Sequence, residues 1–250
     1  MTSNQTVISI IIATYNSADV LQRCLDSIIK QTVTNFELII VDGNSTDGTV
    51  NVIKNNAELI DKWVSEPDNG IYDAWNKGVN LSTGNWVMFL GADDELLPEA
   101  IESYKNFVAI NNEVEYVSAR VNLLEQNGDL IRVFGDQWDW GVFKIYMNVA
   151  HVSSLHSKKL FEKYGLFDAT YKVTGDYELL LRAKNKLNAA FLNKTVANMR
   201  TGGVSSTPAG AFKESRMAKI KTGGRSYYLA IFDELVARTK YGLRKVIKKL

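Results

Sequence analysis

Val7 to Ala13 reads VISIIIA, and Phe36 to Val41 reads FELIIV. Both are short β-branched, nearly all-apolar runs, the pattern of strands buried on two faces. Between them Asn16 and Ser17 are candidate N-caps, followed by Val20, Leu21, Cys24, Leu25, Ile28 and Ile29 at helical spacing. Outward from this strand–helix–strand unit, the turn DGNSTDGT (42–49) leads into a short helix from about Thr49. A strand is predicted near Lys62 to Ser65, a helix over Ile71 to Leu81 and a fourth strand at Trp86 to Leu90, WVMFL. Such alternation predicts an α/β fold built of right-handed βαβ units, with a mostly parallel central sheet flanked by helices. Ligands in these folds sit beyond the carboxyl ends of the strands. Four polar clusters fall at those ends: Thr14-Tyr15-Asn16, Asp42 to Asp47, Glu66 to Asn69, and Asp93-Asp94.

The second half is less regular. A hairpin is predicted for Glu115 to Glu125 and Leu130 to Phe134 around Gln126-Asn127-Gly128-Asp129. Helices are expected near Ser157 to Tyr164, Asp176 to Lys186, Ala211 to Lys221 and Tyr227 to Lys249. With no repeat or clear linker, the reading is a single domain over 1–212 with a C-terminal helical extension over 213–250.

The 250 residues are 46% hydrophobic and 23% charged, enough to bury a sizeable core. A net charge of +1 gives no reason to expect nucleic acid as a partner. Its distribution is uneven: from Lys213 to Leu250 eleven Lys or Arg stand against three Asp or Glu, a net of +8, leaving −7 for the rest. That end carries Leu229, Ile231, Phe232, Leu235, Val236, Leu243, Val246, Ile247 and Leu250 among lysines, which fits an amphipathic helix on an anionic membrane surface and equally a solvated helix packed on the core. The single cysteine, Cys24, excludes an intramolecular disulfide. The N-terminus lacks a signal-peptide pattern, and no run approaches the about 18 apolar residues of a spanning helix. A cytoplasmic protein is expected, with peripheral contact to the plasma membrane left open.

Asp93 and Asp94 follow a buried strand in FLGADDELLP (89–98). Paired carboxylates there suit a hard divalent cation that neutralises a diphosphate, and equally suit capping of a helix beginning near Pro98. Asp42, Asn44, Ser45 and Asp47 can receive ribose or base donors, or simply build a turn in which Thr46 or Asp47 caps the next helix. Tyr15 suits stacking on a nucleobase, or burial. No GxGxxG or Walker lysine motif is present.

Together these segments resemble the family 2 inverting glycosyltransferases of GT-A fold: ATYN (13–16), IIVDGNSTDGT (39–49), GIYDAWNKGVNLSTG (70–84) and FLGADDELLP in order, then HVSSLHSKKLFEKYGLFDATYKVTGDYELLLR (151–182) on the acceptor side. The resemblance implies a nucleotide diphosphate sugar donor and a saccharide or lipid-linked saccharide acceptor, in bacterial surface polysaccharide assembly such as lipopolysaccharide or capsule. It implies that Ala13, Tyr15 and Asp42, with the neighbouring Asn16, lie at the nucleoside. Asp93 and Asp94 would then hold Mg²⁺ or Mn²⁺, and Asp176 would be the catalytic base. Three positions depart from the common pattern: Gly91 replaces the first Asp of the metal motif, Trp75 an Arg before Asn76, and Gly175 a Glu before Asp176. Lys77 is the candidate substitute at the donor phosphates beside Asn76.

Further candidates carry two readings each. Asp176 can be a base or an N-cap; His151 can line the cleft or approach the metal, or be structural like His156. Arg200, in the loop Met199 to Ser205, can reach a phosphate under a glycine-hinged lid, or lie on an ordinary loop. Trp138 and Trp140 can stack on an acceptor sugar or plug the core edge. Rival classes are a sugar nucleotidyltransferase, which needs a Gly-rich basic loop that ATYNSADV lacks, and a non-catalytic nucleotide-sugar or glycan-binding protein.

Overall fold

A computed structural model describes residues 7–202 and 208–247, with the side chains of 208–209 and 244–247 left undescribed. The predicted lid residues Gly203 to Ser205 and the terminal Leu250 therefore lie outside the described residues, as do the side chains of Val246 and Ile247.

Strand β1 (Ile8–Thr14) is buried along its whole length. It pairs in parallel with β2 (Glu37–Asp42) on one side and with β4 (Trp86–Gly91) on the other, while β3 (Lys62–Ser65) extends the sheet beyond β2. The apolar run of β1 is continuous because its alternate side chains enter two cores. Ile8, Ile10 and Ile12 pack with Leu21, Cys24, Leu25 and Ile28 of α1 (Ala18–Ile29), and with Ile101 and Tyr104 of α4 (Ala100–Ile110). Ile11 and Ala13 pack with Tyr72, Trp75 and Val79 of α3 (Ile71–Leu81), Leu160 of α6 (Lys158–Tyr164) and Leu179 to Leu181 of α7 (Gly175–Ala183). The register sets Ala13 opposite both Val41 and Gly91, and Thr14 opposite Asp42. Three loops therefore leave the sheet level with one another.

Beyond β4 the sheet becomes mixed, so the parallel pattern expected from the sequence describes its first half. β8 (Ser154–Ser157) runs antiparallel to β4 and to β6 (Tyr116–Leu124), and β9 (Ala189–Arg200) lies parallel to β6. The two-residue β5 (Glu95–Leu96) closes against β9, and β7 (Leu130–Phe134) makes the predicted hairpin with β6. β8 and β5 are too short to declare a period in sequence. The remaining helices are α2 (Thr49–Asn55), α5 (Trp140–Phe143), α8 (Pro208–Lys221) and α9 (Tyr227–Ile247). Trp138 and Trp140 both pack on the second core, with Trp138 4.1 Å from Phe143 between ring centroids.

The extension packs by buried charge. Asp233 of α9 is 7% exposed and bridges to Arg225 at 2.9 Å and to the buried Lys219 of α8 at 3.5 Å. Its neighbour Glu234 bridges Arg216 at 2.9 Å.

Candidate active site

The loops after β1 and β2 are fastened to each other. Asn16 takes a positive φ of 46°; its backbone N–H donates to Ser45 Oγ at 2.8 Å, and its Oδ1 accepts from Thr46 N at 2.9 Å. Asp42 is fully buried and accepts from Ser45 N (2.9 Å), Ser65 Oγ (2.6 Å) and Ser45 Oγ. The expected caps are redistributed: Ser17 makes no side-chain cap bond, and Asp47 instead accepts from Ala18 N at 3.0 Å across the gap between the loops. Above this platform Tyr15 is 65% exposed, free to stack. A Cβ at Gly43 would lie 2.7 Å from Asp68 Oδ2 and 3.3 Å from the Tyr15 ring. Asp68, not among the predicted site residues, thus joins Tyr15 at this edge; its signal was only membership of the Glu66 to Asn69 cluster after β3.

At the end of β4, Asp94 is buried and accepts from Gly91 N at 2.9 Å. A Cβ on Gly91 would meet Asp93 Oδ1 at 2.9 Å and Asp94 Oδ2 at 3.0 Å. Both carboxylates fold around the one residue that lacks a side chain, which gives a physical reason for glycine where the family often has Asp. Burial, with the charge of Asp93 beside it, pushes the Asp94 carboxyl up to about 8. Neither acid caps α4, whose N-cap is Glu99 and which β5 separates from the pair. The next carboxylate, Glu95, is held by Arg23 Nε and Arg200 Nη2, each at 3.0 Å. Arg200 lies in β9 rather than in a loop and also reaches the carbonyls of Glu125 and Gln126. Among the described residues no three His, Cys, Asp or Glu gather as a metal-ligand set.

Asp176 stands in the first turn of α7, whose N-cap is Thr174. Its Oδ1 accepts from Tyr177 N (2.9 Å) and from the Tyr72 hydroxyl (3.1 Å). Burial pushes its carboxyl up to about 6, against the lowering effect of those two donors. A Cβ at Gly175 would fall 2.8 Å from the Tyr72 ring, so the Glu common at this position in the family would displace the tyrosine that reaches Asp176.

Four predicted residues are committed to partners within the protein. Both ends of the Asn76 amide bond the backbone of Phe167, at 2.8 and 2.9 Å, clamping α3 to the segment before α7. Lys77 bridges Glu66 at 2.9 Å and reaches the Pro67 carbonyl. Arg200 answers Glu95 as above. His151 stacks on Phe89 (centroids 5.3 Å, 16° between planes) and lies 4.7 Å from Trp75. Its ring nitrogens have no hydrogen-bond partner in the protein, and burial pulls its pKa down to about 3, so it is neutral. His156 is likewise buried and neutral. Trp75 is itself a core residue, 5.4 Å from Tyr72 and 5.0 Å from Phe89. These rings join Asp176's partner Tyr72 to the strand that ends at Gly91. A separate cleft of about 300 Å³, between α8 and the 168–171 turn, is lined by none of the predicted residues.

A parallel half-sheet carries acidic and aromatic loops level at one edge, the edge beyond which ligands sit in folds of this kind. The family model described as Glycosyl transferase family 2 matches residues 9–133. The PGL/p-HBAD biosynthesis glycosyltransferase of Mycobacterium bovis (strain BCG / Pasteur 1173P2) is 33% identical over 206 residues, covering 80% of this chain and 79% of that protein. The chain belongs to glycosyltransferase family 2 and is a sugar-transferring enzyme. Two solved structures share its fold. Staphylococcus aureus TarS 1-349 in complex with UDP-GlcNAc has a TM-score of 0.70 at 17% identity, covering 89% of this chain and 69% of that one; against a longer TarS chain the coverage of that chain is 41%. The mannosyltransferase PcManGT of Pyrobaculum calidifontis, in complex with GDP-Man and Mn²⁺, has a TM-score of 0.63 at 19% identity, covering 94% of this chain and 75% of that one.

Proposed function

We propose that this enzyme transfers a sugar from a nucleotide diphosphate donor to an acceptor hydroxyl with inversion, in the assembly of a bacterial surface glycan such as lipopolysaccharide or capsule. Its acceptor is a saccharide or lipid-linked saccharide, and it works on the cytoplasmic side of a membrane. The transferase domain is 1–212, braced by Glu214 at the start of the extension 213–250, and the extension faces an anionic membrane surface. The observation that carries this reading is the convergence of Asp93 and Asp94 on Gly91, one strand away from the Tyr15 loop. The named activity of the mycobacterial relative and the ligands of the two similar structures support it.

The residues present fit a hard divalent cation. Two carboxylates meet at one point, and one is raised by burial and by the other's charge, the condition a cation relieves. Two carboxylates completed by substrate phosphates and water is an ordinary arrangement for Mg²⁺. When bound, Mg²⁺ or Mn²⁺ neutralises the departing diphosphate; Asp93 and Asp94 would hold it.

Tyr15 stacks on the base, with Asp68 and the backbone at Ala13 and Asn16 around the nucleoside. Asp42 acts by fixing the β2 loop. Asp176 accepts the acceptor's hydroxyl proton. The freed oxygen forms the new bond to the anomeric carbon, and the old bond's electron pair leaves with the nucleotide diphosphate. Tyr72 orients Asp176 and stabilises its carboxylate form. Asn76, Lys77, His151 and Arg200 support the site through the partners described above.

A panel of nucleotide sugars, assayed for release of the nucleotide diphosphate with Mn²⁺ and with chelator, tests the reading. Turnover of at least one donor, dependent on metal and on Asp176, is expected; product of retained anomeric configuration would contradict the single displacement.

A further inference from the structure

Helix α9 is built inside out. Its two acidic residues, Asp233 and Glu234, are buried against α8 beside Ala230. The cations Arg225, Lys219, Arg216 and Arg238 neutralise them there. The opposite face carries Tyr228, Phe232, Leu235 and Leu243, at spacings that form one stripe along a helix. They are 83%, 62%, 58% and 58% exposed. Thr239, within the same stripe, turns its hydroxyl back onto the Leu235 carbonyl. An ordinary surface helix buries its apolar face and solvates its charges; here paired charges are buried in the contact with α8, beside Ala218 and Ala230, and the apolar stripe is left to water.

We infer that this stripe is a docking surface for an anionic lipid bilayer, on which α9 lies parallel to the membrane plane. Charge selects this occupant. Beyond Arg238, which answers Glu234, the sequence runs to Leu250 with Lys240, Arg244, Lys245, Lys248 and Lys249 and no Asp or Glu. A second copy would bring the same excess of cations, with its α9 carboxylates likewise turned inward. An anionic headgroup layer answers the cations, and its acyl boundary takes the aromatic and aliphatic side chains. No helix among the described residues is long and apolar enough to cross a membrane, so the contact is interfacial. The inference deepens the membrane reading above and is independent of which donor or acceptor is used.

The test is co-sedimentation of the full chain with vesicles of equal parts phosphatidylglycerol and phosphatidylcholine, and with phosphatidylcholine alone. Binding to the anionic vesicles only is expected, weakening as salt rises. The double variant Phe232→Ser, Leu235→Ser should reduce that binding by about tenfold or more, since each change removes a large apolar contact. Its nucleotide release from a donor sugar should be unchanged, because both positions already face water. Absence of wild-type binding to anionic vesicles would overturn the inference. So would equal binding by the variant, or a concentration-dependent dimer that the double variant abolishes. Vesicle binding is read without any sugar, so its failure is distinguishable from failure of the transferase reading.

Discussion

Glu214 of α8 grips the entrance of the helix that bears Asp176. Its Oε1 accepts from Lys172 N at 2.9 Å, and its Oε2 accepts from Val173 N at 2.8 Å and Thr174 N at 3.0 Å. Thr174, the N-cap of α7, makes no side-chain cap bond of its own; Glu214, forty positions later, fixes the backbone that leads into the helix, while Asp176 itself accepts from Tyr177 N in the first turn. The C-terminal extension is thereby part of the scaffold of the proposed base, and the charge of Glu214 also contributes to the raised pKa of Asp176.

Replacing Glu214 by Gln should act on both counts. The amide keeps one acceptor oxygen and puts an NH2 where the other stood, so at least one of the three backbone donors is left unpaired, costing about 1–3 kcal/mol of stability, measurable by denaturant unfolding. Removing the negative charge should lower the Asp176 pKa, so the acid limb of kcat/KM moves below pH 6.

Tyr72→Phe should shift that limb the other way. Loss of the hydroxyl that donates to the Asp176 carboxylate leaves burial less opposed, so the limb moves above pH 6, with kcat reduced. A pH–rate profile of the two variants against wild type reads both signs.

Asp176→Asn separates activity from stability. A base with a pKa of about 6 is protonated below that pH, so wild-type activity should fall about tenfold per pH unit there. The folded pKa lies above the ordinary carboxylate value of 3.8, so the folded state binds the proton more tightly. The stability gained this way is present at acid pH and lost as pH rises through 6. Removing the charge should therefore leave the protein as stable at pH 8, or more so by on the order of 1 kcal/mol, while turnover falls roughly 10²–10⁴-fold. Equal loss of Tm and turnover would point to a structural role alone.

Gly91→Ala should weaken metal-dependent turnover by tenfold or more with the fold intact, because the new methyl would strike both carboxylates where they converge. Mn²⁺ titration by calorimetry checks this directly.

Much of the first half was legible because its signals are local. β-branched runs, helical spacing and polar turns marked β1 to β4 and their loops within a residue or two. The expected Asp93-Asp94 pair falls where the strand ends, and their crowding explains the glycine before them. What local pattern could not show is which polar groups are already occupied. Asn76, Lys77 and Arg200 look like free ligands for phosphate, yet each meets a partner supplied by another segment: Phe167, Glu66 and Glu95. His151 looks like a cleft residue and lies among aromatic rings whose strands and helices meet only in the folded chain.

The sequence by itself determined the α/β order, the acidic loops at the strand ends and the family, since these depend on residue type and short spacing. Tertiary structure decided how the acids are used. Tyr72 and Asp176, 104 residues apart, form their hydrogen bond only because α3 and α7 pack on the same face of the sheet. It also decided which side of α9 meets water: Asp233 and Glu234 turn inward because the chain before α9 supplies Arg216, Lys219 and Arg225 as partners there, and a spacing of apolar residues carries no record of partners brought by another segment.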